Sequence, residues 1–99
     1  MIVAKYHQSE RDLLLAACDL DLIGKTLKLE NGAEVKILES FYQDKEVTEE
    51  ELIKMAKECT IGNFFGTETI NALIKAKIIF KESTIELNGV PHSQLYKFL

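Results

Sequence analysis

The sequence predicts an α+β domain, an antiparallel or mixed β-sheet of short hairpins with a helix pair, at about 48–59 and 63–76, packed on one face. Three observations point there. Thr48–Ile78 is the only stretch with sustained helical periodicity. Short β-type runs flank it on both sides, and the element order ββ-ββ-αα-(β)ββ is neither the alternation of a doubly wound fold nor all-β.

Taken in order, Ile2–Gln8 and Leu13–Cys18 are β-type runs separated by the polar loop Ser9-Glu10-Arg11-Asp12. Pairing around that loop sets Tyr6 opposite Leu15 and Ala4 opposite Ala17 on one face, with His7 opposite Leu14 and Val3 opposite Cys18 on the other. Leu13-Leu14-Leu15-Ala16-Ala17 is apolar on both faces, so this strand is expected to be central. Asp19–Thr26 reads as a turn or one helical turn, capped by Asp19 or Asp21 and ended by Gly24.

Leu27–Glu30 and Ala33–Ser40 form a second hairpin. A two-residue turn at Asn31-Gly32 would set Lys28 against Val35, a mismatch. A three-residue loop, Glu30-Asn31-Gly32, sets Leu27 with Val35 and Lys28 with Glu34, and puts Gly32 at the left-handed position. Phe41-Tyr42-Gln43 extends or leaves this strand, and Asp44-Lys45-Glu46 reads as a turn.

Thr48-x-x-Glu51 is a capping box, Glu49, Glu50 and Glu51 fill the electropositive first turn, and Val47 is placed to staple against Leu52. Leu52, Met55, Ala56 and Cys59 share a face, and Glu50 with Lys54 adds an i,i+4 pair worth a few tenths of a kcal/mol. Thr60–Gly66 (TIGNFFG) then reads as the corner between the helices. The second helix begins between Asn63 and Thr67, buries Ile70, Leu73 and Ile74, and ends before Lys77, where glycine is usual. Ile78–Phe80, Thr84–Leu87 and Ser93–Phe98 read as short strands, with Asn88-Gly89 turning the last two and Pro91 marking an edge or bulge.

Ninety-nine residues make one domain, 1–99, able to bury roughly 60–65% of its unfolded surface. A net charge of −4 argues against non-specific coating of DNA, while leaving room for a local RNA contact. Cys18 and Cys59 stand far apart among apolar neighbours, as buried reduced thiols of a cytoplasmic protein would. No metal set is found at ligand spacing, and no cofactor motif. The N-terminus does not read as a signal peptide, and no apolar run is long enough to cross a membrane.

The candidate chemistry is sparse. Gly24-Lys25-Thr26 resembles the end of a Walker A loop, but Asp19 stands where its first glycine belongs, and that reading is rejected. His7 is a half-exposed strand residue. His92, fixed beside Pro91, is a candidate base or ligand. Asp19 and Asp21 read as a capped turn before they read as a carboxylate pair. Thr60–Gly66 has two readings: a plain corner with Phe64 and Phe65 filling the core, or a hairpin whose backbone N–H groups meet a phosphate beside Lys75 and Lys77.

Three segments carry a family likeness: Ala17-Cys18-Asp19 followed by Gly24-Lys25-Thr26; Thr60-Ile61-Gly62-Asn63 with Gly66; and Asn88-Gly89-Val90-Pro91-His92-Ser93-Gln94. In this order the chain resembles, over nearly its whole length, the small archaeal proteins of domain-of-unknown-function family 424. The resemblance implies an archaeal cytosolic protein with no assigned activity and a connection to translation. Lys77 departs from the glycine expected of it.

The first expectation is therefore a non-catalytic binding module touching RNA or a translation-apparatus protein. Its candidate residues are Gly62, Asn63, Gly66, Lys25, Lys75, Lys77, Asp19, His92 and Gln94. The alternatives are a small enzyme or ligand-binding protein using Asp19, Lys25 and His92 in one cleft, and a homodimer formed through an apolar edge near Leu95–Leu99.

Overall fold

The computed structural model describes residues 1–98. Strands β1 (Ile2–Gln8) and β2 (Leu13–Asp19) form the expected hairpin, with Tyr6 opposite Leu15 and Val3 opposite Cys18. A 3-10 turn, Leu20–Leu22, leads to β3 (Thr26–Lys28) and β4 (Glu34–Lys36). Leu27 pairs with Val35 and Lys28 with Glu34, the register of the three-residue loop. Gly32 takes φ +87° there, and its N–H donates to Leu29 O at 3.0 Å.

Residues 37–46 differ from expectation, since the strand expected to reach Ser40 ends at Lys36. Phe41 and Tyr42 end a short helix, α1 (Glu39–Tyr42), and Lys45 and Glu46 belong to an edge strand, β5 (Lys45–Val47), antiparallel to β1. Helix α2 (Glu49–Glu58) starts with the predicted box: Glu51 N–H donates to Thr48 Oγ1 at 3.1 Å and Thr48 N–H to Glu51 Oε1 at 3.0 Å. Val47 and Leu52 enter the same core.

The expected helix corner is a strand. Ile61–Phe65 forms β6, parallel to β2 and flanked by β8 (Val90–Tyr96), so the second helix, α3 (Thr67–Lys75), begins at the late end of its predicted range. Thr60 fixes where β6 starts: its N–H donates to Leu13 O, its Oγ1 accepts Leu13 N–H, and its carbonyl accepts Lys97 N–H, each at 2.9 Å. Ile78–Phe80 is not a strand; Ile79 is buried in the loop that follows α3. Ile85–Leu87 forms β7 on the outer side of β8. Pro91 lies within β8, and its carbonyl accepts Gly66 N–H at 2.9 Å just past the end of β6.

The sheet order is β5-β1-β2-β6-β8-β7, mixed through its one parallel pair, with β2 in the interior as its two-sided apolar pattern requires. Two cores lie on its two faces. Helices α2 and α3 cover one, packing Leu52, Ala56, Ile70 and Leu73 on Ala4, Leu15, Ala17 and Phe64. The β3–β4 hairpin and α1 cover part of the other, packing Leu27, Ile37 and Tyr42 on Val3, Ala16, Cys18 and Phe65. Adjacent residues of a strand face opposite ways, so Phe64 and Phe65 fill different cores. No helix among the described residues is long and apolar enough to cross a membrane.

A candidate cleft between the sheet and the short helix α1

The predicted site residues separate into three groups. Gly62 and Gly66 are close-approach glycines. A Cβ at residue 62 would stand 2.3 Å from the Phe64 ring, which lies over that position. Gly66 N–H is taken by Pro91 O, and Gly62 lies inside the ladder between Leu15 and Leu95. A loop holding free amides out to a phosphate is therefore not what this stretch forms.

Asp19 lies at the end of β2, against the start of α3. Its Oδ1 accepts Thr69 N–H and Thr69 Oγ1–H, both at 2.8 Å, and its Oδ2 accepts Glu68 N–H at 3.1 Å. Gly66 has no side chain to cap α3, so Asp19 supplies the cap from another element. The 3-10 turn beside Asp19 receives no side-chain cap. Lys25 is exposed at the base of the β3–β4 hairpin, where its carbonyl accepts Ile37 N–H, and Lys75 and Lys77 are exposed at the C-terminal end of α3. Asp19 faces the helix side of the sheet and His92 the other side, so Asp19, Lys25 and His92 do not form one cleft.

Asn63, His92 and Gln94 do come together. Strand register sets Asn63 between Ala16 and Gln94, and Phe65 beside His92. They line a cleft of about 480 Å³ whose other wall is built by Val35 and Lys36 of β4 and by Phe41 and Tyr42 of α1. Among the described residues, Lys36 is the one charged residue lining it and no carboxylate does, on a chain of net charge −4.

A run of stacked and edge-on rings holds this wall. His7 stacks on Phe41 (4.5 Å between centroids), Phe41 meets Tyr42 edge-on (5.1 Å), Tyr42 meets Phe65 edge-on (6.0 Å), and Phe65 stacks on His92 (4.1 Å). Burial pushes the Tyr42 hydroxyl well above its ordinary range, and pushes the Cys18 thiol, behind the same wall, up to about 12. Both stay protonated at neutral pH, and Cys18 is no nucleophile there.

Two polar groups of the cleft are poised. His92 Nδ1 lies 2.9 Å from Phe64 O. A carbonyl only accepts, so Nδ1 carries the proton and the neutral ring presents Nε2 as a lone pair. Burial lowers the His92 pKa against the opposing pull of the Phe64 carbonyl, favouring that neutral form. Asn63 Oδ1 is buried without a hydrogen-bond partner. An orphaned acceptor of this kind costs about 1–3 kcal/mol. Among the described residues, no group of three or more His, Cys, Asp or Glu side chains is placed to hold a metal ion.

Sequence reasoning singled out Asn63, His92 and Gln94 but missed Phe41 and Tyr42. The only signal there was a pair of adjacent aromatic residues outside any periodic pattern.

The fold and site define a three-layer α+β protein with an aromatic, amide-bearing cleft on the face of its sheet that α1 and the β3–β4 hairpin partly cover. The chain belongs to the family described as protein of unknown function, DUF424, whose model matches residues 6–98. It is similar in structure to an uncharacterized conserved protein from Methanopyrus kandleri. The TM-score is 0.77 at 25% identity, covering 99% of this chain and 95% of that one. No curated protein matches.

Proposed function

We propose that this protein is a non-catalytic binding module of the cytoplasm whose ligand enters the cleft between Phe41 and His92, and that its partner is RNA, in the setting of the translation apparatus. The observation that carries the reading is the aromatic cleft itself, walled by Phe41, Tyr42 and Phe65 and carrying Asn63, His92 and Gln94, with no carboxylate among its described lining residues. Rings and amides on a sheet face suit unstacked bases, whereas a chain of net charge −4 is poorly suited to grip a duplex by its phosphates.

Filter binding against total archaeal RNA and isolated ribosomal subunits tests this. Retention with a shallow salt dependence is expected, because Lys36 is the one cation lining the cleft among the described residues. No retention at low salt overturns the RNA reading.

A second reading has its own observation. β7 covers only Val90–His92 of β8, and Ile85, Tyr96 and Phe98 stay exposed nearby. A second copy pairing along the rest of β8 would cover them. Light scattering after size exclusion distinguishes monomer from dimer. The C-terminal Leu99 of the expected edge lies outside the described residues.

A further inference from the structure

We infer that two copies of this chain pair antiparallel through the open end of β8, Gln94 of each opposite Tyr96 of the other, so that each copy's Tyr96 edges the other's cleft. This rests on the reading of β8 as a self-pairing edge. It goes further by fixing the register and what the second copy adds to the site.

The direction of the backbone marks the open groups. Pro91 O accepts Gly66 N–H and Lys97 N–H donates to Thr60 O, so the odd-numbered residues of β8 turn their backbone groups toward β6. The even-numbered ones turn away from it. Val90 and His92 there meet Leu87 and Ile85 of β7. Upstream of Ile85 the chain bends off through the 3-10 turn Lys81–Ser83. Among the described residues, nothing bonds to the backbone N–H and C=O of Gln94 and Tyr96.

This edge is its own complement. Setting Gln94 opposite the partner's Tyr96 gives every one of these open groups a partner, and Leu95 meets the partner's Leu95 on the two-fold axis. Shifting the register so that Gln94 meets the partner's Gln94 drives Tyr96 against the partner's His92, already engaged by β7. Shifting it so that Tyr96 meets the partner's Tyr96 calls on Phe98, beyond the end of the strand. Charge does not oppose the pairing. Lys97 is the one charged residue of Ser93–Lys97, and its Nζ already donates to Ala56 O at 2.7 Å and Lys57 O at 2.9 Å. The other edge of the sheet, β5, carries Lys45 and Glu46, which discourage such pairing.

Apolar surface is waiting on both sides: Ile85 is 55%, Tyr96 56% and Phe98 95% exposed. The partner's Phe98 arrives where β7 ends, against Ile85. Opposed residues share a face, so the partner's Tyr96 stands beside Gln94, a lining residue of the cleft, and adds an aromatic ring at its open side. The two clefts then lie on one continuous sheet.

The test is disulfide trapping. Gln94 and Tyr96 are exposed, and the native Cys18 and Cys59 are buried. Full-length Gln94→Cys and Tyr96→Cys are oxidised separately and as a mixture. The mixture should give a disulfide-linked dimer, because a hydrogen-bonded cross-strand pair holds its Cα atoms about 5.5 Å apart, within a disulfide's span. Each variant alone should stay largely unlinked. Gln94→Pro removes an outward N–H without touching the β6 ladder and should be monomeric in light scattering where the wild type is a dimer. In an equal mixture of isotope-labelled and unlabelled wild type, intermolecular NOEs should join the Tyr96 ring to Gln94.

Linkage of Tyr96→Cys alone, or of Gln94→Cys alone, as strong as that of the mixture overturns the inference. A wild-type dimer without mixed linkage also overturns it, while leaving self-association standing. A dimer that survives Gln94→Pro, or lacks the Tyr96–Gln94 NOEs, does the same. A wild type that stays monomeric removes self-association as well and leaves the RNA reading untouched.

Discussion

The Asp19 carboxylate occupies the space that a side chain at Gly66 would need: a Cβ there would stand 2.4 Å from Asp19 Cγ, and the backbone has φ +109°. One residue is acidic and the other bare for a single reason, the capping of α3 by a neighbouring strand. Asp19→Ala removes three accepted hydrogen bonds and should destabilise by about 2–3 kcal/mol, with Asp19→Asn losing less. Gly66→Ala should lose at least about 2 kcal/mol from the clash and the left-handed backbone together. Chemical denaturation of the double variant should show a loss smaller than the sum by about 1 kcal/mol, because only the clash depends on Asp19. Strict additivity would mean that the two residues do not share this space.

Lys77 is the residue whose replacement should help. Its N–H donates to Ile74 O at 2.9 Å, and Ile78 N–H to Leu73 O at 3.0 Å, the paired bonds of a helix that ends in a left-handed residue. Lys77 holds φ 60° there despite its Cβ. Lys77→Gly should raise stability by about 0.5–1 kcal/mol, read as a higher denaturant midpoint at unchanged slope.

Asn63→Leu should also stabilise, by about 1 kcal/mol, since it replaces an orphaned acceptor with an apolar side chain of similar size. The same change should weaken ligand binding. A side chain kept for the fold would show the opposite sign in denaturation, so one melt separates the two roles.

His92 predicts a pH dependence. Its folded pKa is depressed by burial, so the unfolded chain binds the proton more readily. Stability from this group is complete above the unfolded value of about 6.5 and declines as the pH falls from there toward the folded pKa. Denaturation midpoints of wild type and His92→Gln at pH 7 and near pH 5.5 should differ, with the variant losing less on acidification. Ligand affinity should fall over the same range, as a proton on Nε2 removes the acceptor.

Much of the frame was legible locally. The β1–β2 register followed from loop length and alternation, the β3–β4 loop from matching Leu27 with Val35, and the start of α2 from Thr48 and Glu51. Strand β6 was hidden because its aromatic pair, Phe64-Phe65, serves both faces and shows no alternation, and Gly62 breaks the pattern further. Its place in the sheet depends on a parallel partner far away in sequence. The second covering layer did leave a trace: a strand apolar on both sides, Leu13–Ala17, needs something packed on each. Of the site, the polar members Asn63, His92 and Gln94 were visible as residue types. Their meeting was not, because it is made by the pairing of β6 with β8.

The lone parallel pairing of β2 with β6 also sets the order in which this molecule can assemble. Leu14 must find Ile61 across intervening chain that includes β3, β4, α1, β5 and α2, a long-range closure that is slow compared with zipping a hairpin. The β1–β2 hairpin can form early, but the floor of the cleft appears only once β6 has docked. Its other polar residues, His92 and Gln94, join it only when β8 pairs with β6. A chain in which β8 has not yet paired with β6 therefore lacks a complete cleft, and ligand capture reports that the sheet has closed.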